Sequence, residues 1–480
     1  MGSATEAEVE VPVWFPSNEV LGMAQFKPLP EVLPIENKMG KSQDIFSRVK
    51  ASCFGKFYTR YCKQYPLFRR LVTWVWKNIY LALSNNVAIH FKDQNISSWR
   101  RLVRLSEFVH QNKLAGIELL PSASIETSLP QVFPSCDQVF LPFQDDRYRF
   151  PSVYLATISG GMIYGGSNLV LRKKEVICHD LYDFERDYTS EELHGRIRID
   201  PRKQRLRCLI YDESPARFPV AAAFVDSCAH NYAHWLTEVL PRIVAFCAED
   251  DFLQVPLVVD AGLHKNIMES LFLVAGRARK IITLPIGRAL AADTLYLASV
   301  TGYVPFDRRN CKISGHSHGV FSPLAFERMR NKIVPFAEKL PGEQWPEKIY
   351  LRRNSSGRNV TNAEELEAFL IVKGYSIIEP EKFSFLQQVS LFRNAKKIIA
   401  PTGAALSNAI FSRPATRVAI LMAKHENMIY RYWLNMLSAV DVKCSYVLGS
   451  IVKDSHLGIH ADFSVDVGAV GELIQSWDTE

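Results

Sequence analysis

The chain has 480 residues, 48% hydrophobic and 22% charged, with a formal net charge of +7. That balance excludes a disordered or fibrous chain, and at ~100–200 residues per domain it calls for two or three domains. The modest positive charge permits anionic partners without naming one.

Residues 1–134 read as an N-terminal irregular and helical region. The opening MGSATEAEVEVPVWF is acidic and lacks the apolar centre of a signal peptide. Residues 51–85 interleave aromatics with Lys56, Arg60, Lys63, Arg69, Arg70 and Lys77, and no acid falls between Asp44 and Asp93. No uncharged stretch there reaches the ~18–20 residues that span a bilayer. A basic, aromatic helix of this kind suits an anionic membrane surface. Nucleic acid is not expected as a partner, because no recognisable binding module accompanies the patch. The nine cysteines are odd in number and form no CxxC pair, which argues against a disulfide framework and a zinc knuckle.

Residues 135–215 read as a small β-rich unit. VYLATISGGMIYGGSNLVLRKKEVICHD alternates β-formers with Gly-rich turns. Residues 216–340 then take up an α/β rhythm, with short apolar strands at 255–261, 280–284 and 294–299. Inside this unit lies CAHNYAHWLTEVLPRI, residues 228–243. Asn231 can cap a helix that starts at Tyr232, which places His234 and Glu238 on one face. Trp235 packs and Arg242 supports, while Pro241 should end or kink the helix. A zinc site on His230, His234 and Glu238 is a competing reading. It lacks HExxH spacing, and His230 precedes the helix. The HSH at 316–318 is the nearest source of further ligands.

Residues 341–425 form a second α/β unit after the linker PGEQWPEK, and residues 426–480 a helical or extended tail. KIYLRR ends a strand in Arg352 and Arg353, with Arg358 soon after. Guanidinium groups suit diphosphates because they bond in a bidentate way. IIAPTGAALSNAIF runs from a strand through Thr402, Gly403 and Ala404 into a helix, where small side chains admit a phosphate to a helix start. Glu379, Glu381 and Gln388 mark another strand-to-helix junction that can hold sugar hydroxyls. There Ser384 can equally serve as an N-cap.

These segments, in this order, resemble glycosyltransferase family 61. NYAHWLTEVLPRI, YLRRNSSGRNVTNAEEL and GYSIIEPEKFSFLQQVSLFRNAKKIIAPTGAALSNAIF carry the resemblance over about residues 150–425. It implies a GT-B-like pair of Rossmann-like domains, extended here by the N-terminal helical and β-rich regions. It implies an inverting transferase that needs no metal and no cofactor. A nucleotide-sugar donor and a glycan or lipid-linked glycan acceptor would meet across a cleft. Carried over by position, Glu238 and His234 match the catalytic pair, with Glu238 favoured as base and the reverse as runner-up. Arg352, Arg358, Gly403, Ala404, Ser407 and Asn408 match donor-side positions, and Arg353, Glu381, Gln388 and Thr402 are added from the residues themselves. Two departures stand out: Thr402 where many members have His, and Gln387-Gln388 where many have Glu-Gln. Without an anchor, the chain looks like the soluble members associated with bacterial capsule or lipopolysaccharide synthesis. That implies a cytoplasmic protein, peripheral on the inner face of the membrane. The rival from another class is an assembly protein that binds nucleotide sugar or glycan without catalysis; a zinc hydrolase is the third.

Overall fold

The computed structural model describes residues 30–36, 71–72, 75, 99–140, 146–194, 196–208, 212, 214–305, 307–308, 319–340, 344–355, 357–425, 430–452 and 461–479. The basic aromatic stretch at 51–85, apart from Leu71, Val72 and Val75, and the HSH at 316–318 lie outside these residues.

Two large sheets organise the chain. The first is built on β1 (Val153–Tyr164), β2 (Ala216–Ala223), β3 (Leu257–Asp260), β4 (Ile281–Leu284) and β5 (Ala289–Ala298). Val32–Pro34, β4, β3, β2 and β5 lie side by side in parallel, in that order. β3 reads LVVD and is buried throughout, as expected for a strand covered on both faces. β1 closes this set antiparallel to β5, with Leu295 opposite Ile158. Beyond β1 the sheet continues through Val170–Arg172, Glu175–Cys178, Arg100–Arg104, Arg205–Cys208 and Ile197–Asp200. Val170–Arg172 and Glu175–Cys178 follow β1 antiparallel and, with Ile197–Asp200 and Arg205–Cys208, extend the same sheet as the α/β strands after them, while Asp146–Phe150 pairs with Ala123–Thr127 in a separate sheet. Helices α1 (Leu240–Cys247) and α2 (Lys265–Ala275) connect β2 to β3 and β3 to β4.

Helix α3 (Pro323–Ala337) leads to the second sheet, made of β6 (Lys348–Leu351), β7 (Ser376–Ile378), β8 (Lys397–Pro401), β9 (Arg417–Ala423) and β10 (Lys443–Ile451). The order is β7-β6-β8-β9-β10, all parallel. Helix α4 (Ala363–Val372) joins β6 to β7, and α5 (Phe385–Asn394) crosses from β7 to β8. Ser384 caps α5 in a reciprocal capping box with Gln387. Residues 426–480, expected as a tail, supply helix α6 (Arg431–Ser438), strand β10 inside the sheet, and a last helix, α7 (Val467–Thr479). Gln131–Phe133, from far upstream, pairs parallel with β10.

Helix α3 packs on both α1 and α5. One apolar cluster therefore runs from Leu257 and Val259 under the first sheet, through Ile243, Ile333 and Phe392, to Ile398 and Ile420 under the second. Among the described residues no helix is long and apolar enough to cross a membrane.

Candidate active site

The first half of the site grows from the helix after β2. Asn231 caps it as expected, accepting from the Ala233 N–H at 3.0 Å. The helix does not end at Pro241. Tyr232–His234 is α-helical, Trp235–Val239 widens to a π-helix, and α1 carries on through Cys247. A proline clashes with the carbonyl four residues back and offers no N–H. The wider turn avoids the clash by bonding Leu240 N–H to Trp235 O, five residues back. Trp235 anchors the turn: it is fully buried and donates to Ser270 at 2.8 Å.

This π-turn presents Glu238 to His234. The His234 Nδ1 and Glu238 Oε2 atoms share a short hydrogen bond, and Glu238 Oε1 accepts from Val304 N–H at 3.0 Å. Burial pushes the Glu238 carboxyl above its ordinary range, opposed by the charge and hydrogen bond of His234. Burial alone would lower the His234 imidazole, but Glu238 beside it turns the shift upward. The two groups are coupled, so their titration belongs to the pair. Arg242, which is buried, donates to Glu238 O at 2.8 Å and to Asp226 at 3.1 Å.

The segment after β5 crosses directly over the π-turn. A Cβ added at Gly302 would sit 2.4 Å from Thr237 O and 3.4 Å from Glu238 Cγ. The obstacle is backbone, which cannot swing aside. Gly302→Ala is therefore expected to destabilise the fold by ~1–3 kcal/mol, as overpacking does, and to lower the melting temperature in a thermal scan.

The second half sits at the carboxyl ends of β6 and β8. From β6 the chain turns one way to β7; after β8 it runs the other way to β9. The crevice between such strands is where open α/β sheets bind ligands. Here it holds a cleft of about 110 Å³, lined by Arg352, Arg353, Asn354, Glu381, Gly403 and Ala405 among others. Gly403 lets Arg353 in: a Cβ there would meet the guanidinium at 2.2 Å. Arg353 bonds Gly357 O at 2.9 Å, and among the described residues neither it nor Arg358 forms an ion pair. Burial lowers Arg353 from its ordinary value. Burial, and then the charge of Arg353, push Arg358 down to about 10.

Other residues expected at this site are held in packing. Arg352 donates to Glu367 at 2.8 Å and to Glu379 at 3.1 Å, so its charge is already met. Glu381 is exposed at the rim, 3.3 Å from Asn354. The buried Thr402 accepts from Trp433 at 2.9 Å. The helix after Gly403 is 3-10 over Ala404–Phe411. Ser407 takes the Ala404 carbonyl at 2.6 Å and Asn408 that of Ala405 at 3.0 Å, in competition with α-helical bonding. Asn408 also donates to Gln388 at 2.7 Å, and Gln388 to Pro380 O at 3.0 Å. The two departures from the family pattern, Thr402 and Gln387, thus serve local structure.

Two tyrosines join the halves. Tyr232 donates to Asn408 at 2.8 Å. Tyr432, from α6, bonds the Thr237 hydroxyl and feels both Glu238 and Arg358. Sequence reasoning missed Tyr432, Thr237 and Gly302. The rule that ligands gather beyond strand ends pointed to Gly302; the aromatic run YRYW at 430–433 was the one signal for Tyr432.

His230 is exposed and bonds Ala261 O at 3.1 Å, apart from the His234–Glu238 pair. Among the described residues no group of three His, Cys, Asp or Glu side chains is placed to hold a metal ion. No curated protein matches the chain. The model of the family described as Glycosyltransferase 61 matches residues 232–419, from the tyrosine that opens the helix carrying His234 and Glu238 into β9. Over that span the chain is similar to glycosyltransferase family 61.

Proposed function

We propose that the chain is an inverting, metal-independent glycosyltransferase of GT-B-like arrangement, with the nucleotide-sugar donor on the second sheet and the base on the first. One observation supports this above the others. Arg353 lines the strand-end crevice with no ion-pair partner among the described residues, its charge acts on Arg358, and Tyr432 feels both Arg358 and Glu238. The acceptor O–H gives its proton to the Glu238 carboxylate, and His234 stabilises the pair. The acceptor oxygen attacks the anomeric carbon as the carbon–oxygen bond to the diphosphate breaks on the far side. The electron pair leaves with the nucleoside diphosphate, whose charge Arg353 and Arg358 meet.

A thermal-shift screen of nucleoside diphosphates tests the donor half, since a ligand that binds only the native state raises the melting temperature. Gly403→Ala is expected to leave the ligand-free melting temperature near wild type, because only a flexible guanidinium must move, yet to shrink the nucleotide-induced shift. A flat response to every nucleotide in the wild type counts against the reading and favours a protein without a donor.

A lipid-linked glycan acceptor, in capsule or lipopolysaccharide synthesis, is part of the proposal and is motivated by residues 51–85. Flotation with anionic liposomes is expected to fall when Arg69, Arg70 and Lys77 are changed to Ala, and to weaken with salt. No flotation of the wild type at low salt removes the membrane surface as a partner.

A further inference from the structure

Beside Glu238 lies a second cavity. Its walls include His179, Tyr182, Glu191, Asp226 and Tyr303, together with Glu238 and His234 themselves. Its volume is about 40 Å³, room for about three waters. That is too small for a whole sugar and suited to one edge of a ring with a hydroxyl or two.

His179 is the group in this wall that the reaction as described does not use. Its ring stands 4.5 Å from Tyr303 and 5.9 Å from Tyr182, centroid to centroid. Its Nδ1 atom is buried and has no hydrogen-bond partner among the described residues. A buried polar nitrogen left unpaired costs ~1–3 kcal/mol, so its presence at a cavity wall calls for a visiting partner. Burial, then the charges of Arg242 and Arg104, push the imidazole down to about 3. It is therefore neutral at any working pH and can trade a hydrogen bond with a hydroxyl.

Unlike the arginine crevice, the cavity offers an anion no cation that is not already paired among the described residues. Glu191 is buried, with its carboxylate bonded to Ser167 at 3.0 Å. Asp226 is met by Arg242, the one cation in the wall. An entering phosphate or carboxylate would find Glu191 and Glu238 and no unpaired cation. A neutral polyol would find aromatic faces and hydrogen-bonding groups, with the base at hand.

We infer that this cavity is the acceptor subsite, that it takes the edge of a neutral sugar rather than a uronic acid or a phosphate, and that His179 orients the hydroxyl presented to Glu238. The inference rests on Glu238 being the base, but its test does not need the donor. Saturation-transfer NMR on the full chain is run with methyl glucoside, methyl galactoside and methyl glucuronoside as probes, without nucleotide. The neutral glycosides are expected to show transfer, and the uronoside at least fivefold less. His179→Phe keeps the ring contacts with Tyr303 and Tyr182 but removes the nitrogens, and is expected to cut the neutral signal at least fivefold. The nucleotide-induced thermal shift should be unchanged in that variant. If His179→Phe does not fold, His179→Ala, which adds no bulk, is read in the same way. Equal transfer to uronoside and glucoside, full transfer in the His179 variant, or no transfer to any glycoside in the wild type each overturns the inference. Glycoside binding with no nucleotide shift would sink the donor assignment instead and leave this one standing.

Discussion

Glu238→Gln is expected to lower sugar transfer by roughly 10²–10⁴-fold, the usual worth of a positioned general base, with nucleoside diphosphate binding unchanged. The substitution is structurally mild. A Gln oxygen can still accept from Val304 N–H, and its amide can still reach His234. What it removes is the capacity to take a proton. In the wild type the base must be ionised, and burial raises Glu238 above the ordinary carboxylate range. The acidic limb of kcat/KM is therefore expected to lie above that range, with activity rising as pH rises through the raised value. His234 holds Glu238 down, so His234→Gln should move this limb to still higher pH. A pH–rate profile of the three proteins checks both statements. A larger loss in His234→Gln than in Glu238→Gln reverses the assignment and makes the imidazole the base.

Arg353→Ala is expected to weaken nucleoside diphosphate binding by roughly 10–100-fold, since a charge-assisted hydrogen bond contributes ~1.5–3 kcal/mol. Calorimetric titration with the best nucleotide of the thermal screen measures it. The ligand-free protein should scarcely notice the change. The Arg353 bond to Gly357 O is lost, but so is the repulsion that helps push Arg358 down. A site that keeps two cations together gives up stability for binding, a common trade at functional positions. Arg352→Ala should behave in the opposite way. It strands Glu367, which is buried, and disturbs Glu379, so its main effect is a lower melting temperature. Equal binding losses and equal stabilities in the two variants would remove the distinction drawn between these neighbouring arginines.

Much of the local structure was legible because single residues dictate it. Asn231 and Ser384 cap helices by the chemistry of a short polar side chain. The parallel strands showed as short apolar runs because both of their faces are covered. The π-turn was not legible. Pro241 reads as a helix end by local rules, and packing of Trp235, Arg242 and the Gly302 segment decides otherwise. Nor does sequence tell which of the two adjacent arginines at the crevice is ion-paired. That depends on Glu367 and Glu379, 15 and 27 positions from Arg352, which capture one guanidinium and leave the other. Ser407, Asn408 and Gln388 matched the family's pattern by position; Asn408 and Gln388 form a buried hydrogen-bond relay to Pro380 O, and Ser407 bonds the Ala404 carbonyl. Tyr432 and His179 lie outside the matched motifs. Long-range pairing brings them to the site, and only the aromatic run at 430–433 hints at Tyr432.

The apolar cluster that runs beneath both sheets has a consequence for how the molecule comes apart. Domains joined by a large hydrophobic interface do not behave as independent bodies. Heating should then give a single cooperative transition, with calorimetric and van't Hoff enthalpies in agreement. The same continuity bears on dissection. The family span begins at residue 232, after β2, the strand on which β3 and β5 are laid, and it stops within β9, before β10. An excised fragment would expose a strand edge in each sheet and the severed face of one shared core. Residues 232–419 mark where the family's sequence signature lies, whereas the shared apolar core reaches back beyond it to β1 and forward to β10.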